Sequence, residues 1–253
     1  MVDVEVWFAK SGFSWRSWLL PAVPSIASRI FVSTLRPTEE LIAPFRGAPA
    51  GNVCDAMDRL GAMDYRIKPL VPSLHLFGSA LTVRTRPGDN LIVWNAVDVA
   101  QPGDVLVIAT YGHAAVSTFG ENVVKAAKTK GLAGIVCDGL CRDAAGIRAT
   151  GLPTFALGCV PSSPGKDGPG EIGGSVRCGG IAVQSGDLIV GDEDGVVVVP
   201  YGDLAAVGAR LAAIAAKEAR METDLAAGKI LPGWVDAVLE ERGCDIVDLA
   251  GGG

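Results

Sequence analysis

Two short, continuous apolar runs, Val105-Leu-Val-Ile-Ala109 and Gly134-Ile-Val-Cys137, flank a helical stretch from Glu121 to Lys130 that stops at Gly131. Runs of this length without polar alternation read as strands covered on both faces. A strand, a helix and a second strand in that order call for a parallel pair in an α/β layer arrangement. The first run leaves through the small-residue loop from Thr110 to Gly120, which feeds the helix. The second breaks at Asp138-Gly139 and delivers an adjacent cation and anion, Arg142-Asp143, just beyond the carboxyl end of its strand. In open α/β sheets that end is where ligands bind.

Around this centre the chain alternates helix and strand, then turns mostly to strand. Thr38 to Phe45 opens as a helix, with Thr38 as N-cap and Glu39 and Glu40 in the first turn. Asn52 to Leu60 is a second short helix closed by Gly61, Leu76 to Arg84 alternates as a strand, and Leu91 to Ala100 is helical. After Pro153, short strands are expected around Phe155, Val176, Ala182 and Leu188, and Asp192-Glu-Asp-Gly195 turns a hairpin. The loop from Pro161 to Gly170 is nearly all turn formers. Glycine reaches 33 of 253 residues, about twice the usual ~7%, and gathers at strand ends. Neither a repeat nor a composition break divides residues 37–253, so they are read as one domain. Residues 1–36 form an atypical N-terminal extension, with three of the five tryptophans in its first 18 positions.

A long last helix from Asp203 to about Ala227 carries Leu204, Val207, Leu211, Ile214, Met221 and Leu225 in a heptad-like seam. Glu218 fills the missing seam position, and a carboxylate there is costly unless it finds a partner.

Charge and composition exclude several function classes. The net charge is −6 and no basic run exists, which argues against a nucleic-acid surface. No run of 18 apolar residues is present, so a membrane-spanning helix is not expected. Asp3 and Glu5 stand where a signal peptide would be basic, which points to a cytoplasmic protein. The six cysteines are scattered and the two histidines, His75 and His113, lie far from any CxxC; free thiols are the reading, not structural zinc. Ser162-Ser163 lacks a nucleophile elbow, and Gly165-Lys-Asp-Gly168 lacks the Walker spacing.

Arginine suits a planar carboxylate held by two parallel hydrogen bonds, and aspartate suits a hard divalent cation. Arg142 and Asp143 together therefore suggest a site for a metal-chelated oxo-acid. Beside them, Gly120-Glu121-Asn122-Val123 starts a helix whose free Asn122 and Val123 amides and dipole favour an anion, and Gly120 permits close approach. Plainer roles stand next to these: Arg142 as a surface arginine paired with Asp143, Asp143 as a helix cap, Glu121 as a helix-start stabiliser. Glu218 competes with an exposed helix-end acid, and Glu222 lies one turn on. His113 is read as shaping the loop, and His75 as structural.

Glu121 precedes Arg142-Asp143 with twenty residues between. With Gly88-Asp-Asn-Leu91, Pro102-Gly-Asp104, Gly170-Glu-Ile172, Gly186-Asp-Leu-Ile-Val190 and Asp192-Glu-Asp-Gly195, this spacing resembles the class II 4-hydroxy-4-methyl-2-oxoglutarate aldolases. Those enzymes share their fold with the regulator of ribonuclease E activity. The resemblance covers roughly 38–228 and implies an α/β, swivelling β/β/α layered domain with mixed sheets and a C-terminal helix. It implies a metal-dependent carbon–carbon lyase (aldolase) that releases pyruvate through a stabilised enolate, with oxaloacetate decarboxylase activity accompanying or replacing the aldolase. Asp143 would bind magnesium, with manganese as the alternative, and waters would fill most other positions. Arg142 and the Gly120, Asn122 and Val123 backbone would hold the 2-oxo acid. Glu121 would hydrogen-bond a metal-bound water, and Glu218 would reach a neighbouring subunit's site in a homotrimer or homohexamer. The contrasting expectations are a non-catalytic protein-binding regulator on the ribonuclease E inhibitor fold, or a lyase for another 2-oxo acid. The regulators tend to lose the aspartate that this chain keeps.

Overall fold

The computed structural model describes residues 28–31 and 34–245; the tryptophan-rich stretch of the expected extension lies outside them. In chain order the elements are β1 (Arg29–Ile30), α1 (Glu39–Ile42), α2 (Ala50–Ala56), β2 (Lys68–Pro69), β3 (Leu76–Thr85), α3 (Leu91–Val99), β4 (Asp104–Ala109), β5 (Ser117–Phe119) and α4 (Glu121–Lys130). Then follow β6 (Gly134–Cys137), β7 (Leu140–Cys141), α5 (Ala144–Thr150), β8 (Thr154–Ala156), β9 (Gly158–Cys159), β10 (Gly170–Ile172), β11 (Val176–Cys178) and β12 (Ile181–Val183). The hairpin β13 (Leu188–Asp192) and β14 (Gly195–Val199), then α6 (Leu204–Ala226) and α7 (Gly233–Glu241), complete the chain.

The two apolar runs are parallel neighbours, with Val105 against Gly134 and Ile108 against Cys137. Every residue of β4 and β6 is buried, as strands covered on both faces must be. The alternation sorts their side chains. Leu106, Ile108, Ile135 and Cys137 pack against α3, α4 and α5, whereas Val105, Val107 and Val136 face β11, β12 and Phe155. A third core joins α1, α2 and α6 to Leu188, Val190, Val197 and Val199 of the hairpin. Full burial of each such side chain is worth roughly 1.5–3 kcal/mol.

The ten-residue strand β3 organises the mixed sheet. One edge runs parallel to β4; the other takes β13 antiparallel at Leu76–Ser79 and β10 antiparallel at Val83–Thr85. The main sheet runs β1-β10-β3-β4-β6-β8-β2, and β5, β7 and β9 form a separate parallel ribbon. Sheet, second β layer and helices are the three layers expected.

Several local readings change. Thr38 occupies the N-cap position, but its hydroxyl makes no capping bond, and only Glu39–Ile42 continues as α-helix before a 3-10 turn. His75 lies just before β3 and bonds the Ala48 carbonyl at 2.9 Å. Arg29–Ile30 pairs in parallel with β10, and Arg36 grips Asp104 through two bonds of 2.9 and 2.7 Å. No helix among the described residues is long and apolar enough to cross a membrane.

Candidate active site

Helix α4 begins at Glu121 as expected and ends at Gly131, whose φ of 84° lies in the left-handed region glycine tolerates. Its first turn lies beside the segment that follows β7. The Arg142 amide donates to the Phe119 carbonyl at 3.0 Å, which locks the cation–anion pair alongside the helix start.

Asp143 stands at the N-cap of α5 with φ 61° and ψ 43°, a left-handed conformation uncommon for a residue with a Cβ. Its side chain makes no capping bond, so the capping role is overturned. The reason lies in its other partners, on Arg142 and at the start of α4. Oδ2 instead accepts from Arg142 Nε at 3.2 Å and lies 3.4 Å from the Glu121 amide. Strained backbone that serves no cap is a mark of functional sites.

Gly120 is required by space, since its own backbone is extended. A Cβ there would lie 2.5 Å from Asp143 Oδ2 and 2.9 Å from Arg142 Cγ. Gly146 gives clearance in the same way on α5, where a Cβ would meet the Glu121 carboxylate at 2.3 Å. Glu121 is thus laid over α5 and paired with Lys125.

Gly120, Asn122, Val123, Arg142 and Asp143 line one cavity of about 250 Å³, completed by Asn90, Trp94, Ser163, Pro164 and Lys166. The fold thus brings together five of the expected residues. Glu121 sits behind the cavity, its carboxylate turned toward Lys125. Glu218 lies elsewhere, on α6, where it accepts from the Asn52 side chain and borders a separate cleft with Asp55, Asp58 and Lys217. Within one chain it does not meet Arg142. His113 packs near Gly88 and is not among the lining residues.

The second half of the lining escaped the sequence reading. The loop from Pro161 to Gly170 showed only turn formers, yet Arg142 Nη1 donates to Ser163 Oγ and Lys166 faces the cavity. A lysine among turn formers was the one available signal.

Among the described residues no group of three or more His, Cys, Asp and Glu side chains is arranged to hold a metal ion. The donor set at the cavity is one half-exposed carboxylate, a hard oxygen donor. That fits magnesium, which keeps most of its waters and needs one or two carboxylates. It does not fit zinc, which wants nitrogen or sulfur ligands.

Comparison with known proteins bears on this site. A family model described as RraA-like, Aldolase/RraA, matches residues 50–198. A Halalkalibacterium halodurans protein, provisionally named a 4-hydroxy-4-methyl-2-oxoglutarate aldolase, is 41% identical over 163 residues, 64% of this chain and 78% of that protein. An uncharacterised Methanocaldococcus jannaschii protein is 32% identical over 183 residues, 71% of this chain and 86% of the other. Among solved structures, an uncharacterised Pseudomonas syringae protein superposes with a TM-score of 0.69 at 26% identity, over 78% of this chain and 96% of its own. The RNA-processing inhibitor RraA from Thermus thermophilis superposes with a TM-score of 0.56 at 27% identity, over 60% of this chain and 93% of its own.

Proposed function

Because the chain belongs to the RraA-like, Aldolase/RraA family, we propose that it is a divalent-metal-dependent lyase that cleaves 2-oxo acids of the 4-hydroxy-4-methyl-2-oxoglutarate type to pyruvate. Oxaloacetate decarboxylation follows from the same chemistry, since both reactions pass through the pyruvate enolate. One observation carries the reading: the Arg142 guanidinium and the Asp143 carboxylate, 3.2 Å apart, border the same cavity as the Asn122 amide at the start of α4. The Val123 amide, expected to be free, already donates to the Gly120 carbonyl at 3.1 Å because the first turn closes tightly.

Arg142 and the Asn122 amide hold the substrate carboxylate from two sides, and the helix start favours its charge. Gly120 lets the Arg142 and Asp143 side chains lie against the start of α4. Asp143, with Glu121 behind it, is the residue that would hold magnesium or manganese. When bound, the cation supplies Lewis-acid stabilisation of the enolate charge. This chain's own donors add electrostatic stabilisation fixed in advance of the reaction. Glu121, or Glu218 of a second copy in a trimer or hexamer, orders the water that accepts the 4-hydroxyl proton.

The test is pyruvate release from oxaloacetate and from 4-hydroxy-4-methyl-2-oxoglutarate, with and without EDTA, magnesium being restored afterwards. Release that EDTA stops and magnesium restores is expected. Release that survives chelation contradicts the metal dependence. Release from neither substrate favours a second reading, a protein-binding regulator, which the likeness to the RNA-processing inhibitor supports.

A further inference from the structure

Two cysteines face each other across the ribbon that carries Arg142. Cys141 closes β7 and Cys159 closes β9, and the two are register partners in the parallel ladder. Their sulfurs lie 3.3 Å apart, the one sulfur–sulfur hydrogen bond among the described residues. Neighbouring strands run about 4.8 Å apart, inside the roughly 4.4–6.8 Å Cα separation that a disulfide spans. Bonded sulfurs are about 2.05 Å apart, so closure asks for a movement of little more than ~1 Å.

The two thiols differ in access. Cys141 is fully buried in the core cluster with Phe119 and Ile147. Burial, and then the Cys159 sulfur beside it, push its thiol well above the ordinary range. Cys159 is exposed. An accessible thiol backed by a second is the arrangement of a redox pair: the first meets the oxidant and the second resolves the product. The pair also sits at a sensitive place. Arg142 is the residue after Cys141, and Val160, the residue after Cys159, donates its amide to the Cys141 carbonyl at 2.8 Å. Three positions further on, Ser163 accepts from Arg142.

We propose that Cys141 and Cys159 close into a reversible disulfide on exposure to a hydroperoxide, and that closure shifts Arg142 from its working position. The disulfide stands on the ribbon geometry alone, whereas its effect on turnover rests on the lyase reading. The Cys159 thiolate attacks a peroxide oxygen, the O–O bond breaks, and Cys159 becomes a sulfenic acid as hydroxide or alkoxide leaves. The Cys141 sulfur then attacks the Cys159 sulfur; the S–O bond breaks, and the departing hydroxide takes the Cys141 proton as water. Two thiols lose two electrons and the peroxide gains them. Proximity offsets the weak acidity of Cys141 in the second step.

The experiment treats the full chain and Cys159→Ser with hydrogen peroxide, blocks the remaining thiols by alkylation and weighs tryptic peptides. Wild type should give peptide 131–142 joined to 149–166, with fragmentation placing the link on Cys141 and not on Cys137. Dithiothreitol should part the two. Pyruvate release from oxaloacetate should fall by about tenfold or more on oxidation and return with dithiothreitol. Cys159→Ser should give no joined peptide and keep its rate within about twofold through the same treatment. Cys159 that stays reduced, or that reaches a sulfinic acid with no joined peptide, overturns the disulfide. A joined peptide with unchanged pyruvate release overturns the link to Arg142, as does an equal loss of rate in Cys159→Ser. Wild type that releases no pyruvate before oxidation removes the lyase reading and the claim on turnover, while the peptides still decide the disulfide.

Discussion

Asp138 directly follows β6, Asp143 follows β7, and the two meet opposite environments. Asp138 is 6% exposed and accepts from the Thr110 amide at 2.6 Å and the Thr110 hydroxyl at 3.2 Å. Burial pushes its carboxyl above the usual aspartate range, against the pull of those bonds. Asp143 has a side chain 42% exposed, a left-handed backbone and a shared contact with a guanidinium. Each borders its own cavity, the Asp138 one being about 330 Å³ and walled by Arg66, Tyr111 and Arg177. The contrast shows that burial alone is a poor guide to chemistry. A buried aspartate with its lone pairs filled fastens loops together, whereas an accessible one held in a strained turn has coordination capacity left to use.

The largest effect expected from this contrast falls on Asp143. Asp143→Asn should cut pyruvate release by a thousandfold or more, about 4 kcal/mol of barrier, while the melting temperature stays within about a degree of wild type. A variant that loses stability in place of activity would make Asp143 the staple. Gly120→Ala comes next. Its new Cβ would stand 2.5 Å from Asp143 Oδ2, so the pair must shift, and kcat should fall by about a hundredfold. Arg142→Lys keeps the charge but loses the planar fork. KM for oxaloacetate should rise about tenfold, with a smaller drop in kcat, in steady-state assays.

Asp138 should respond in stability, not turnover. Asp138→Ala strips the Thr110 amide of its acceptor, and denaturant unfolding should show a loss of about 1–3 kcal/mol. The smallest effect is in pH dependence. The folded carboxyl titrates above its unfolded value of about 3.9, so between the two the folded state holds more protons. The contribution of Asp138 to stability therefore falls as pH rises through that window and stays lost above it. Unfolding curves collected across the window should show this slope in wild type and lack it in Asp138→Asn.

Much of this contrast was legible in the sequence. The strands β4 and β6 declared themselves because burial on both faces demands unbroken apolar runs, and α4 was bounded by Glu121 and Gly131. The position of Arg142-Asp143 beyond a strand end was legible too, and both residues line one cavity. What stayed hidden depends on distant contacts. The ribbon of β5, β7 and β9 is built from strands of two or three residues, too short for any period, and α7 went unread beyond the long last helix. The Asp89 carboxylate looked like an ordinary turn residue, because its partners come from a loop 78 and 79 positions away. Lys166 and Ser163 were lost with that loop. The sequence also left Asp143 with a cap it does not make, since a left-handed backbone at a residue with a Cβ has no signature in residue order.

The most direct test places a ligand in one of the two cavities. Oxalate mimics the planar pyruvate enolate, and a crystal structure with oxalate and magnesium would show which aspartate serves it. The account predicts the cation on Asp143 and oxalate between the Arg142 guanidinium and the Asn122 amide. Oxalate and cation in the Asp138 cavity, with Arg142 still bonded to Ser163, would contradict it.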